Sequence, residues 1–285
     1  MFKGNSMKRL FALTVTMAAL TSPFAHAAQP ALKSALDGNA PPYAMPRMDG
    51  SVEGLTVDFT KEVAKRLGRE ITIDAMAFSA LIPALQAGTY DMLSVPFVAT
   101  QERSEAFLLT EGIWSADLLF LLPSRGEQVT DYAQFKDRTI ATNKGNAYEQ
   151  WAREKAGEYG WTVQTYGSLS DAAQAVQAGR AHAALVDTAT GLMIAKRNPV
   201  LKVSELRVPT GRYYAYPVPR RSPELRAQLE NAIECIKADG TAAKLYEKWL
   251  GMAPAAGSLE VTPQPGIGPV GLGNYDATPH TPKCS

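Results

Sequence analysis

One pattern occurs twice in this chain and restricts its fold more than any other feature. An apolar helical stretch ends in Ala-Gly and is followed by a short apolar strand bearing a polar residue, once at Leu81–Ser94 and again at Ala172–Asp187. Leu81, Ile82 and Leu85 recur at helical spacing, and Gly88 stands where a helix C-cap is expected. Met92-Leu93-Ser94-Val95 then reads as a buried strand. Helix and strand in alternation point to a parallel α/β architecture, and the repetition points to two lobes of similar construction.

The remaining elements fit that frame. Leu32–Leu36 is a first strand, and a loop from Asp37 to Tyr43 follows it. Thr60–Leu67 is a helix with Val63, Ala64 and Leu67 on one face, and Ile71–Ile73 is the next strand. Leu118–Leu122 is a continuous apolar strand leaving the first lobe. In the second lobe, the strand Arg138–Thr142 runs into the turn Asn143-Lys144-Gly145-Asn146 and the helix Ala147–Lys155. Ser222-Pro223-Glu224-Leu225 opens a long helix with Leu229, Ile233 and Ile236 on one side. Chain crossings near Ile113–Asp117 and Val208–Tyr213 make both lobes discontinuous and supply a two-strand hinge. The expected division is 28–113 plus 213–252 for one lobe and 118–208 for the other.

Ligands of open α/β sheets bind beyond the carboxyl ends of the strands. Three polar features fall there. Arg103 follows the Met92–Val95 strand, and its guanidinium can grip a carboxylate through two parallel N–H···O bonds. The alternative for Arg103 is a surface ion pair of little energetic value. Asp187 closes the strand Ala183–Val186 and suits an ammonium group, while also serving as the cap of the helix after it. The turn Asn143–Asn146 points backbone N–H groups and the positive end of a helix outward, although an ordinary capped helix would look the same.

Lys8-Arg9, the apolar run Leu10–Leu20 and Ala25-His26-Ala27 have the layout of a secretory signal peptide, residues 1–27, cut after Ala27 or one residue later. Its removal takes away Lys3, Lys8 and Arg9 and no acids, so the formal charge goes from +1 to −2 (1 − 3). That balance argues against nucleic-acid binding, which needs a basic face. Cys235 and Cys284 either pair, tying the tail to a helix, or remain two free thiols; their spacing leaves both open. Neither has neighbours at metal-ligand spacing, and no metal or other cofactor is expected. Residues 253–285 are rich in Pro, Gly, Ala and Thr and read as an extended, flexible tail with too little apolar surface to join a core.

Leu-Ile-Pro-Ala-Leu-Gln-Ala-Gly at 81–88, the Tyr90-Asp91 strand and Thr-x-Glu-Arg at 100–103 resemble, in that order, the family 3 extracytoplasmic solute-binding proteins. These are the amino-acid-type receptors of ABC importers. The resemblance extends from about Leu32 to Gly251 and ends on Asp239-Gly240-Thr241 and Tyr246-Glu247-Lys248-Trp249-Leu250-Gly251. It implies a type II periplasmic-binding-protein fold, α/β throughout, with each lobe a mostly parallel sheet flanked by helices. It also implies that Arg103 and Gly145-Asn146 hold a ligand carboxylate, that Asp187 holds the α-ammonium, and that Phe78 packs against the ligand. Tyr43, Trp114 and Tyr148 are further candidate walls, and Asn143 begins the carboxylate turn.

Departures from the family pattern lie within the implied pocket. Ala40 stands where an aromatic residue usually precedes the two prolines, and Pro96 and Val98 fill places usually held by a glycine and a Ser/Thr. Proline donates no N–H, and valine lacks a hydroxyl. The expected protein is therefore a monomeric periplasmic receptor that closes on a small zwitterion, an amino acid or a derivative, and delivers it to an ABC permease in the inner membrane. The alternatives are an enzyme resembling the periplasmic cyclohexadienyl dehydratases, with Asp37, Asp49 or Glu111 as candidate acid, and a non-transport accessory or sensor protein that uses its tail to bind a partner.

Overall fold

The computed structural model describes residues 1–2 and 30–284, so the expected leader and its cleavage site fall outside the described residues. Two sheets organise the chain. In the first, the strand Leu32–Asp37 lies between Ile71–Met76 and Met92–Leu93 and is parallel to both. In the second, the order is Thr162–Tyr166, Thr139–Asn143, Ala183–Asp187, Leu118–Pro123 and Leu201–Val208. The first three of these strands are parallel; Leu118–Pro123 runs antiparallel to both of its neighbours. The apolar run Leu118–Leu122 is buried throughout, as a central strand covered on both faces must be.

Two connecting strands join the halves. Trp114–Ser115 pairs antiparallel with Tyr213–Ala215, and Leu118 pairs with Val208 further along the same crossing. Side chains fasten the bend between these pairs: the Thr210 backbone N–H donates to the Asp117 carboxylate at 2.8 Å, and the Thr210 hydroxyl donates to the Ala116 carbonyl at 3.1 Å.

Two helices differ from the sequence expectation in ways that build the site. The helix expected from Thr60 begins at Leu55, because the Pro42 and Tyr43 carbonyls accept the N–H groups of Leu55 and Thr56 at 2.9 and 3.1 Å. Gly54 makes this possible. Its φ of 147° suits only glycine, and a Cβ there would collide with the Tyr43 carbonyl. Arg103 stands on a short helix, Gln101–Ala106, whose cap Thr100 accepts the Arg103 backbone N–H at 3.2 Å.

The tail is not loose. Cys235 and Cys284 form a disulfide across a separation of 49 residues. Glu260, Gln264, Gly268, Gly273 and Asn274 are hydrogen-bonded to residues before 231. This segment is held mainly by backbone-to-side-chain hydrogen bonds and a covalent bridge, with Leu272 adding a partly buried apolar contact, and composition alone reports little of that. Its docking also covers polar positions of the helix Pro223–Ala238: Glu230, Glu234 and Lys237 are buried beside the expected Leu229, Ile233 and Ile236. No described helix is long and apolar enough to cross a membrane.

Candidate functional site

The carboxyl ends of both sheets face one another. Asp37 ends the first strand of one sheet, and Asn143 and Asp187 end two parallel strands of the other. Between them lies a small cavity of about 20 Å³, lined from one side by Asp37, Tyr43, Phe78, Pro96, Val98 and Arg103, and from the other by Asn143, Asn146, Tyr148 and Asp187. That is room for about one water molecule, so the two halves are nearly closed on one another and must part to admit a ligand.

Arg103 is half-buried, with its guanidinium in an apolar corner. Its guanidinium carbon lies 4.2 Å from the centre of the Phe97 ring and 5.8 Å from that of Phe78. Its Nη1 donates to the Val98 carbonyl at 3.1 Å. Burial pulls its pKa down to about 10, the expected sign for a desolvated cation. Phe78 opens the helix Phe78–Gln86, which places its ring at the cavity wall.

Asp187 is fully enclosed. One carboxylate oxygen accepts the Thr190 N–H at 2.9 Å, so it caps the helix Thr188–Arg197 while its strand holds it at the cavity. Burial raises its pKa; the hydrogen bonds from Thr190 and the neighbouring Tyr43 hydroxyl oppose the rise. Tyr148 reaches from the second half of the molecule to hydrogen-bond the Tyr214 hydroxyl on the connecting strand.

Asp37 was offered by the sequence only as a candidate acid, and the structure places it squarely in the cavity. Its carboxylate accepts from the Asn143 amide at 3.0 Å, a bond that crosses from one half to the other, and from the Asn39 N–H at 3.1 Å. Burial raises its pKa as well. The remaining oxygen of the Asn143 amide is buried and has no partner, so the cavity offers an unused acceptor beside Asp37. The available signal was its position, a carboxylate at the end of a first parallel strand. Asn39 adds another bond across the cleft, to the Ser168 hydroxyl at 3.3 Å.

Three of the expected residues have other partners in the structure. Gly145 does not line the cavity: its N–H is taken up by the Glu149 carboxylate at 2.6 Å, and its backbone rests against Ser79 of the opposite half. Asn146 reaches the cavity, but its side-chain oxygen accepts the N–H groups of Tyr148 and Glu149, capping the helix Ala147–Tyr159. Trp114 packs against Tyr43 and Phe59 and lines a separate groove of about 610 Å³ on the far side of Tyr43. Among the other candidate acids, Asp49 is exposed beside Arg47, and Glu111 is buried against Lys237 at 2.9 Å under the tail. Among the described residues no cluster of His, Cys, Asp or Glu has the arrangement of a metal site.

Comparison with known proteins agrees with this fold. The chain is 27% identical over 243 residues to the putative ABC transporter arginine-binding protein 2 of Escherichia coli (strain K12), covering 82% of this chain and 98% of that protein. Its fold superposes on an ancestral arginine-binding protein bound to arginine with a TM-score of 0.74 at 27% identity, covering 78% of this chain and 99% of the other. An ancestral amino-acid-binding protein, described as a precursor of cyclohexadienyl dehydratase, matches with a TM-score of 0.70 at 25% identity over 77% of this chain and 95% of its own. Residues 32–252 match the description "bacterial extracellular solute-binding proteins, family 3", and the chain belongs to that family.

Proposed function

We propose that this protein is a periplasmic receptor that closes two lobes, 28–113 with 213–252 and 118–208, on one amino acid and passes it to an ABC permease. One observation carries the reading: a desolvated guanidinium and a buried carboxylate, Arg103 and Asp187, approach a single cavity from opposite halves of the molecule. Arg103 binds the ligand carboxylate and Asp187 its ammonium. Asp37 and the free Asn143 oxygen leave a third place for a side chain that donates hydrogen bonds, so an amino acid with a cationic or N–H-bearing side chain fits best. The arginine-binding relatives support that choice. Closure is a hinge motion about the two connecting strands, driven because the ligand binds the closed state better.

Native mass spectrometry of gently purified protein, followed by calorimetric titration with L-arginine, L-histidine and L-cystine, tests the proposal. A co-purified amino acid or saturable binding to one of them is expected. Binding that survives loss of both Arg103 and Asp187 would overturn it. A second reading, a dehydratase, rests on Asp37, a cavity carboxyl whose raised pKa suits a general acid. It predicts release of an aromatic product from a cyclohexadienyl acid, read by ultraviolet absorbance; the receptor reading predicts none.

A further inference from the structure

The helix that carries Arg103 is six residues long, Gln101–Ala106. An isolated helix of fewer than ~12–15 residues is marginal in water, so this one holds its shape only through outside contacts. Its last-turn carbonyls have no partners within the helix unless a cap supplies them. The tail supplies one: the Asn274 side-chain amide donates to the Ser104 carbonyl. The Gly273 N–H donates to the Ser104 hydroxyl at 3.1 Å, an approach that a side chain at 273 would crowd. Arg220 Nη1 donates to the Glu105 carbonyl at 2.7 Å, and its Nη2 donates to the Asn274 side-chain oxygen at 3.3 Å.

Asn274 is itself fixed. Its φ of 64° lies in the left-handed region, which asparagine tolerates better than most residues, and its carbonyl accepts from Arg226 at 2.9 Å. A chain of contacts therefore runs from the helix Pro223–Ala238 through Asn274 to the residue next to Arg103. Ser104 is fully buried, so this junction has little room to adjust.

The same segment backs the hinge. The Glu260 carboxylate accepts the backbone N–H and the hydroxyl of Ser115 at 3.0 and 2.9 Å. Gln264 accepts the Gly112 N–H at 2.9 Å, and the Tyr213 hydroxyl donates to the Val270 carbonyl at 3.0 Å. Both connecting strands are thus held from outside the region that matches the family, which ends at 252.

We propose that the C-terminal segment 253–284 is a strap that sets the ligand-binding geometry, with Asn274 the positioning residue for Arg103 and Glu260 the one for the hinge. Neither touches the cavity. The proposal rests on the reading that the Arg103 cavity is the ligand site.

Asn274→Gly tests it, because glycine keeps the left-handed backbone and removes only the side-chain bonds. Asn231→Ala is the control: Asn231 exchanges hydrogen bonds with Lys283, anchoring the same tail away from Arg103. Titration with L-arginine should show Asn274→Gly weakened by about three- to tenfold, the loss expected for one or two hydrogen bonds. Asn231→Ala should bind as the wild type does, with a similar change in melting temperature. Amide hydrogen exchange at Ser104–Phe107 should speed up only in Asn274→Gly. Equal affinity in the two variants, with unchanged exchange at Ser104–Phe107, would make the strap merely structural and end the proposal. If none of L-arginine, L-histidine and L-cystine binds the wild type, the ligand reading fails, and the exchange difference alone decides whether Asn274 positions the helix.

Discussion

Arg103 is a charge largely withdrawn from water without an ion pair among the described residues; a carbonyl and two aromatic rings are its company. Leaving a buried cation so poorly compensated costs stability, and an incoming carboxylate removes that cost. Loss of either partner of a desolvated charge pair typically costs ~2–5 kcal/mol, a roughly thirty- to several-thousand-fold loss of affinity. Arg103→Ala and Asp187→Asn should both show this in calorimetric titration, and Arg103→Lys should fail substantially, because an ammonium cannot make the bidentate contact. Asparagine is the better probe at 187, since it still accepts the Thr190 N–H and preserves the helix cap that alanine would lose. The melting temperature of the empty protein should not fall in Arg103→Ala or Asp187→Asn, since each removes a desolvated charge. Wild-type affinity in either, or unfolding of both, would mean that these charges serve the fold only.

At the scale of elements, the helix Pro223–Ala238 carries an unexpected buried polar stripe. Glu230 accepts the N–H of Glu111 at 2.9 Å and that of Gly268 at 2.7 Å, yet burial pushes its pKa up to about 8. Nearby, Glu111 pairs with Lys237 at 2.9 Å and Glu234 with His280 at 2.7 Å, and burial raises both carboxyls. The sign for Glu230 follows from linkage. Between the ordinary glutamate value near 4.5 and about 8, the unfolded chain has lost this proton and the folded chain retains it. Stability therefore falls as pH rises through that window, by at most about 1.4 kcal/mol per pH unit for one group. Thermal unfolding from pH 5 to 8 should show the decline, and Glu230→Gln should flatten it. An unchanged slope in Glu230→Gln would place the pH dependence elsewhere in the cluster.

For the whole molecule, the disulfide closes a long loop and locks the strap to the helix beneath it. Bridges of this kind typically contribute ~2–4 kcal/mol. Reduction, or Cys235→Ser with Cys284→Ser, should lower the melting temperature by on the order of 5–10 °C at ~2–4 °C per kcal/mol. Truncation after Met252 should cost more, because it also strips partners from Gly112, Ser115 and Glu230 and opens the Glu111–Lys237 pair to water. Calorimetry of the three forms checks the order: intact, reduced, truncated. A truncated protein as stable as the intact one would show that the tail adds nothing to the fold.

What the sequence determined by itself was local in origin. Helical spacing of Leu81 and Leu85, glycines at helix ends, and apolar runs such as Leu118–Leu122 reported the α/β elements, because period and caps are written in neighbouring residues. Position past a strand's carboxyl end marked Asp187 at once and Arg103 a short helix later, since parallel topology sends those ends to one edge. Tertiary structure decided what depends on distant pairing. The Gly145 N–H is turned to Glu149, four residues on but brought back by the helix, and Asp37 became a cavity residue only once Asn143 faced it from the other sheet. The tail was the least legible part. Its hold comes from single hydrogen bonds to scattered partners and one bridge over 49 residues, and such contacts leave no period in the chain to read.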